Sequence, residues 1–266
     1  MHTTASDGSW SPEAVVRAAA AGGLHVISIT DHDNSAAFQT ANAIGAEVQV
    51  QVIPGIEVSS THRGRDIHVL GYFVDPLSDA LTGHSNRASG RRIERMKEML
   101  AKLAAAGIEI EYETVEEVAG PDRFSIGRPH LARAMLQGGH VSSMHEAFQL
   151  WIGDDGPACV PTHLLDPAGA VETILAAGGI PIWAHPPGDL VDEVLPGMID
   201  AGLRGLEVYR PSHRRNDVLR YEGICRSAGL LMSGGSDWHS PDYGAALGDF
   251  FVESREVEGL LTAGGM

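Results

Sequence analysis

The stretch LHVISITDHD, residues 24–33, decides the reading of this chain. Its first part is short, apolar and rich in β-branched residues, which is the pattern of a buried strand. Its last part is Asp31, His32 and Asp33, three polar residues at the point where the strand must end. On the N-terminal side, Ser11, Pro12 and Glu13 supply an N-cap, a first-turn proline and a first-turn acid. A helix then runs through EAVVRAAAA and stops at Gly22-Gly23. On the C-terminal side come a helix in AAFQTANAIGA, a strand in VQVIPGIEVSS and a further strand in DIHVLGYFV, where alternate residues are apolar. The same rhythm returns later. Asp166-Pro167 caps a helix in AGAVETILAAG, IPIWA is a strand ending at His185, and LRGLEVY and GLLMSGGSDWH are further strands with a helix before each. GDFFV and a terminal helix close the chain. Alternating strand and helix units predict an α/β fold around a parallel sheet.

One region breaks the rhythm. RRIERMKEMLAKLAAAG carries apolar residues at helical spacing with charges opposite, and TVEEVAG, RPHLARAMLQGG and SSMHEAFQLWIG read as three short helices with no strand between them. The expected organisation is therefore an α/β host over 1–84, a small helical insert over 85–156, and the rest of the host over 157–266.

Composition excludes several classes. The 266 residues are 43% hydrophobic, too apolar for wholesale disorder. No apolar run approaches the ~18 residues of a membrane span, and no basic segment followed by an apolar one opens the chain. The two cysteines, Cys159 and Cys225, lack metal-ligand spacing and are expected as reduced thiols. A cytoplasmic protein without membrane association is expected, with no obligate protein partner evident. The net charge of −16 argues against duplex DNA or a long structured RNA as partner. It leaves room for a small phosphorylated substrate, because bound cations reverse the local sign.

The chemistry lies at the strand ends. Asp31, His32 and Asp33 follow one strand, Glu57 lies in another, His68 in a third, His185 ends IPIWA, and Asp237 and His239 follow LLMSGGS. His2 and Asp7 precede the first helix. Active sites of α/β barrels are built at the C-terminal ends of their strands. Imidazoles and carboxylates without thiolates suit Mn, Fe or Zn. Any one of these histidines alone would be an ordinary capped or core residue; the set predicts metal ligation. His25, His62, His84, His140, His145, His163 and His213 lack such placement and are expected as surface or structural residues, with His62 and His163 nearest the pocket.

The ordered motifs HTTASDG, TDHD, GIEVS with DIHVLGYF, AHP and GSDWH resemble the PHP family (polymerase and histidinol phosphatase), and the resemblance spans nearly the whole chain. It implies a distorted (β/α)7 barrel with a helical insert and up to three divalent metal ions, Mn2+ favoured, with Fe2+ or Zn2+ as alternatives. Carried over by motif, His2, Glu57 and Asp237 would hold the first ion with one further His. Glu57, His68 and His185 would hold the second, and Asp7, His32 and His239 the third. Asp7, His32, Glu57 and His239 would be catalytic. Asp31 and Asp33 are expected to orient His32 or cap the turn.

The insert, with GRPHLARAML, resembles PHP phosphoesterases acting on nucleoside 3′,5′-bisphosphates, a subgroup that also trims short RNA 5′ ends. The implied activity is removal of the 3′-phosphate to leave the 5′-monophosphate. The alternatives are a phosphatase for another small ester such as histidinol phosphate, or a catalytically silent module binding metal or nucleotide. Arg91, Arg92, Arg128 and His130 are the candidates for gripping a phosphate, Arg128 because SIGRPH leads into a helix N-terminus. The family's first motif reads His-x-His at the end of the first barrel strand. His2 matches its second His and Met1 the middle position, so a first strand missing or truncated is expected.

Overall fold

The computed structural model describes residues 1–121, 124–241 and 245–266. Parts of the expected insert (122–123) and of the expected second host segment (242–244) lie outside them. Helix α1 (Pro12–Ala21) is capped by the Ser11 hydroxyl, which accepts from the Ala14 N–H. It is followed by β1 (Val26–Ile29), α2 (Phe38–Val48), β2 (Gln51–His62) and β3 (Arg65–Tyr72). Helix α3 (Asp79–Ala105) comes next, starting before residue 85, with the Ser78 hydroxyl accepting from the Leu81 N–H. The short helices α4 (Tyr112–Ala119), α5 (Arg128–Gln137) and α6 (Met144–Ala147) follow, the last running into a π-helical turn, Phe148–Ile152. The chain returns to the sheet through α7 (Pro167–Ala176), β4 (Ile180–Trp183), α8 (Val191–Asp200), β5 (Gly205–Tyr209), α9 (Arg215–Ala228) and β6 (Leu231–Gly234), and ends with α10 (Glu258–Ala263).

Among the described residues, six strands lie side by side in chain order. The sheet is mixed, which corrects the expectation of a parallel one. Strand β1 pairs parallel with β2, and β4, β5 and β6 are parallel, but β3 runs antiparallel to both its neighbours. The reason is local. Arg63 and Gly64 both have positive φ (48° and 83°), the geometry of a two-residue hairpin whose twist suits antiparallel strands. His62 therefore pairs directly with Arg65, and no crossover helix separates β2 from β3.

Alternation along β2 and β3 sets which side chains meet. Ile56, Val58, Ile67 and Val69 point to one face and pack with Val171 and Ile174 of α7 and Val194 of α8. Burying each such side chain contributes about 1.5–3 kcal/mol. Glu57, His68, Leu70 and Tyr72 then point to the other face by the two-residue period of a strand. Gly71 lets α7 approach, since a Cβ there would lie 3.0 Å from the Ile174 side chain. Helices α1 and α2 form a second cluster with Ile27, Ile29 and Trp238, while α3 to α6 hold a cluster of their own around Met99, Leu103, Leu131 and Met135.

Strands β1 and β6 are the edges of the sheet. A cavity of about 760 Å3 lies between them, lined by Ile27, Ile53, Tyr72, Ser233, Phe250 and Leu261 among others. Met1 is among its lining residues. Thr30 N–H donates to the Met1 carbonyl (3.0 Å), and His2 N–H donates to the Trp238 carbonyl (2.8 Å), so the first two residues tie the end of β1 to the loop after β6.

Candidate metal centre

The turn over residues 2–8 carries the first candidate ligands, His2 and Asp7. Its scaffold is Asp31, whose carboxylate accepts from Thr3 N–H (2.7 Å), Thr3 Oγ1 (2.7 Å) and Ser6 Oγ (2.6 Å). Asp31 thus caps the 2–8 turn, one of the two roles, with orienting His32, that the sequence left open. Gly8 closes it, because a Cβ there would lie 2.5 Å from the His2 carbonyl group. Asp33 has a different task. Its φ is 58°, and its carboxylate accepts from Ser59 N–H (2.8 Å), His84 Nε2 (2.8 Å) and Arg92 Nε (2.8 Å). It locks the residue after His32 to β2 and to α3. His84 is fully buried in this contact, a structural role.

Glu57 stands at the middle. Its Oε2 lies 3.0 Å from His2 Nε2, and its Oε1 lies 2.8 Å from His68 Nδ1 and 3.2 Å from His185 Nε2. Asp237 Oδ1 is 3.2 Å from His2 Nε2. Asp7 lies 3.8 Å from His32 Nε2 and 3.5 Å from His239 Nε2. The rings of His2 and His239 stack at 4.0 Å. All eight sequence-predicted ligands are thereby brought together, and three overlapping groups of donor atoms form: His2, Glu57 and Asp237; His32, Glu57 and His68; and His2, Asp7, His32 and His239. His185 joins the middle group through Glu57 and His68, 3.3 Å from the latter.

The electrostatics fit a cation. Burial disfavours the charged form of His2, but Asp237 and Glu57 outweigh it and raise its pKa to about 10. The positive charge these carboxylates draw onto His2 is what a divalent ion would supply in its place. Burial also opposes ionisation of Asp7 and Glu57, but the facing imidazoles, His239 and His32 foremost for Asp7 and His32 and His68 for Glu57, hold both carboxyls well below the usual range. His32 is pushed down to about 3, chiefly by burial, so it is a neutral donor ready to ligate. His2 Nε2 and His32 Nδ1 are buried nitrogens with no well-aligned hydrogen-bond partner among the described residues. Imidazole and carboxylate donors around such atoms suit first-row divalent metals.

The cation candidates are distributed unevenly. Arg92 is buried on Asp33 and Ser59 through Nε and Nη2. Arg91 is held by the Thr162 carbonyl and Glu98. Arg128 meets the Ile152 carbonyl, Asp154 and, at 3.5 Å, Asp66. His130 Nδ1 accepts from the Gly127 N–H at the start of α5.

Three residues escaped the sequence reading. Arg133 reaches the Asp7 carbonyl (3.3 Å), Arg210 reaches Asp237 (3.3 Å), and Glu207 accepts from the His185 N–H (2.8 Å). Burial, with Asp237 and Glu57 nearby, raises the Glu207 pKa well above the usual value. Arg210 directly follows β5, so the strand-end rule that found His185 also applies to it.

A PHP domain model matches residues 1–112. The chain is 33% identical to a 5′-3′ exoribonuclease of Haemophilus influenzae, covering 90% of this chain and 88% of that protein. It is 31% identical to a phosphoribosyl 1,2-cyclic phosphate 1,2-diphosphodiesterase of Eggerthella lenta (90% and 92%) and 30% identical to a 3′,5′-nucleoside bisphosphate phosphatase of Chromobacterium violaceum (92% and 87%). A solved structure from Bifidobacterium adolescentis, assigned to the metal-dependent phosphoesterases, superposes with a TM-score of 0.87 at 28% identity, covering 98% of this chain and 93% of that one. Strand-end imidazoles and carboxylates, a mixed α/β sheet and these relatives lead to one conclusion: the chain belongs to the PHP family and is a metal-dependent phosphoester hydrolase.

Proposed function

We propose that this enzyme removes the 3′-phosphate from nucleoside 3′,5′-bisphosphates, leaving the 5′-monophosphate and inorganic phosphate. The observation that carries the reading is the closeness of the insert to the metal ligands. A Cβ on Gly127 would lie 3.3 Å from Asp7 Oδ2 and 3.7 Å from Arg92 Nη1. The turn leading into α5 therefore rests on the centre, with a helix N-terminus and guanidinium groups beside it. A substrate with one phosphate at the metals and a second a fixed distance away suits that arrangement.

In this reading His2, Glu57 and Asp237 hold one ion, Glu57, His68 and His185 another, and Asp7, His32 and His239 a third. Bound divalent ions supply Lewis acidity, activating water at neutral pH and neutralising phosphoryl oxygens. Mn2+ is the proposed metal. The chain's own residues orient the substrate. Arg128 and His130, at the start of α5, face the phosphate that is retained, and Arg92 contributes Nη1, the nitrogen left over from its contacts with Asp33 and Ser59. Arg91, held by Thr162 and Glu98, adds positive charge without contact. A short RNA with a 5′-phosphate and a 3′-phosphodiester presents the same pattern, and a relative named as an exoribonuclease supports trimming of such ends. The net charge of −16 disfavours long structured RNA.

The test is a phosphate-release panel comparing a nucleoside 3′,5′-bisphosphate with its 3′- and 5′-monophosphates, histidinol phosphate and a ribose 1,2-cyclic phosphate. A gripped second phosphate is worth ~2–4 kcal/mol, so kcat/KM for the bisphosphate should exceed that for the 3′-monophosphate by roughly 30- to 1,000-fold. Equal values for the two, or a preference for another ester, would overturn the assignment.

A further inference from the structure

His185 is an unusual ligand in its backbone. Its φ is 31°, in the left-handed region that a residue with a Cβ enters only when its surroundings hold it there. It directly follows β4 and Ala184, and its Nε2 reaches Glu57 (3.2 Å) and His68 (3.3 Å). One side chain holds its main chain from outside the strand. Glu207 lies inside β5, alternating with Leu206 and Val208, which pack into the core on the opposite face. Its carboxylate therefore points inward, buried, and Oε2 accepts the His185 N–H at 2.8 Å. Arg210 Nη1 lies 3.7 Å from the same oxygen, and its Nη2 lies 3.3 Å from Asp237. A link thus runs from the backbone of one ligand through Glu207 and Arg210 to the carboxylate of another.

We propose that Glu207 is a positioning residue. It is not itself a metal ligand; by accepting the His185 N–H it fixes the left-handed turn after β4 and so aims the His185 imidazole at the position shared by Glu57 and His68. Nothing in this role requires a charge, only an oxygen acceptor of the right length at this place. Removing the acceptor frees the turn to relax toward ordinary φ, which swings the imidazole away while Glu57 and His68 stay on β2 and β3.

The proposal rests on the metal-ligand reading above, and its readout is bound metal, independent of the substrate assignment. The experiment compares wild type, Glu207→Gln and Glu207→Leu. Each is stripped with chelator, titrated with Mn2+, and read by elemental analysis after gel filtration and by Mn2+ electron paramagnetic resonance. Melting temperature is recorded with and without metal. Loss of a group that orients a metal ligand weakens the metal by about 10- to 100-fold. Glu207→Leu should lose that affinity at one ion position only, and kcat should fall with KM nearly unchanged. Glu207→Gln, whose amide oxygen can accept the same N–H, should keep every ion at close to wild-type affinity. If Glu207→Leu binds all ions as wild type does and only melts earlier, Glu207 is a core residue and the proposal is wrong. It is equally wrong if Glu207→Gln is as defective as Glu207→Leu, since that would make the carboxylate charge the essential feature. A wild-type chain that binds no ion at all would remove the metal reading together with this one.

Discussion

Replacing Arg92 by Met tests how the insert is fastened to the centre. The Arg92 guanidinium donates from Nε to Asp33 Oδ2 (2.8 Å) and from Nη2 to Ser59 Oγ (2.8 Å), with Nη2 also 2.7 Å from Asp33 Oδ2. Both side chains of the ion pair are almost wholly buried. Methionine keeps most of the volume and removes the charge, which leaves Asp33 buried without its main cation. Breaking a buried pair on one side costs about 3–5 kcal/mol. His84 and the Ser59 N–H still face Asp33, so the lower end, about 3 kcal/mol, is expected. For a chain of this size that lowers the melting temperature by about 6–12 °C.

The pH dependence has a definite sign. Burial raises the Asp33 pKa, but Arg92 and His84 outweigh it and hold the carboxyl well below its ordinary value. Its stabilisation is therefore full above the unfolded value of about 3.9 and is lost as pH falls through the folded pKa. The gap between wild type and Arg92→Met should be constant near neutrality and close in acid. Urea unfolding and thermal melts at several pH values measure it, with Asp33→Asn/Arg92→Met as the partner that removes the orphaned charge and recovers part of the loss. A single variant within 1 kcal/mol of wild type at pH 7, or a double variant that merely adds the two single losses, would refute the reasoning.

Further outcomes follow from the same contacts. Arg128→Ala should lower kcat/KM for a nucleoside 3′,5′-bisphosphate by roughly 30- to 1,000-fold while changing a simple monophosphate ester much less; equal losses on both would place the damage at the metal ligands or the fold. Metal binding should release protons at pH 7, because His2 is held protonated with a pKa of about 10 and must give up that proton to ligate; calorimetry in buffers of different ionisation enthalpy measures the number, and affinity should rise with pH. Gly8→Ala should disrupt the ligand turn, since the new Cβ would sit 2.5 Å from the His2 carbonyl, and the loss should appear in metal content as well as in melting temperature.

The convergence of the candidate ligands was legible because these His and carboxylate residues sit where short apolar strands end, and strand ends converge by topology. The pairing of Glu57 with His68 was legible for the same reason, each lying on the inward alternation of its strand. What failed depended on contacts distant in sequence or on turn chemistry. The parallel-sheet expectation missed the Arg63-Gly64 hairpin, whose signal was the glycine between two polar residues. The fastening of Arg92 to Asp33 was not legible, because the two lie 59 residues apart. Glu207 was hidden inside GLEVY, where an acid among apolar residues looks like strand; the signal was its inward register between Leu206 and Val208, both of which face the core.

The most direct measurement is phosphate release by chelator-stripped enzyme, with residual metal determined by elemental analysis, before and after adding Mn2+, for wild type and Glu57→Gln. Glu57 touches His2, His68 and His185, so in the proposed reading it would serve more than one ion position at once. The account predicts no turnover in the stripped wild type, recovery on adding Mn2+, and a Glu57→Gln variant that stays nearly inactive and binds fewer ions. Full phosphate release by wild type after confirmed metal removal, or a Glu57→Gln variant with wild-type metal content and rate, would contradict it.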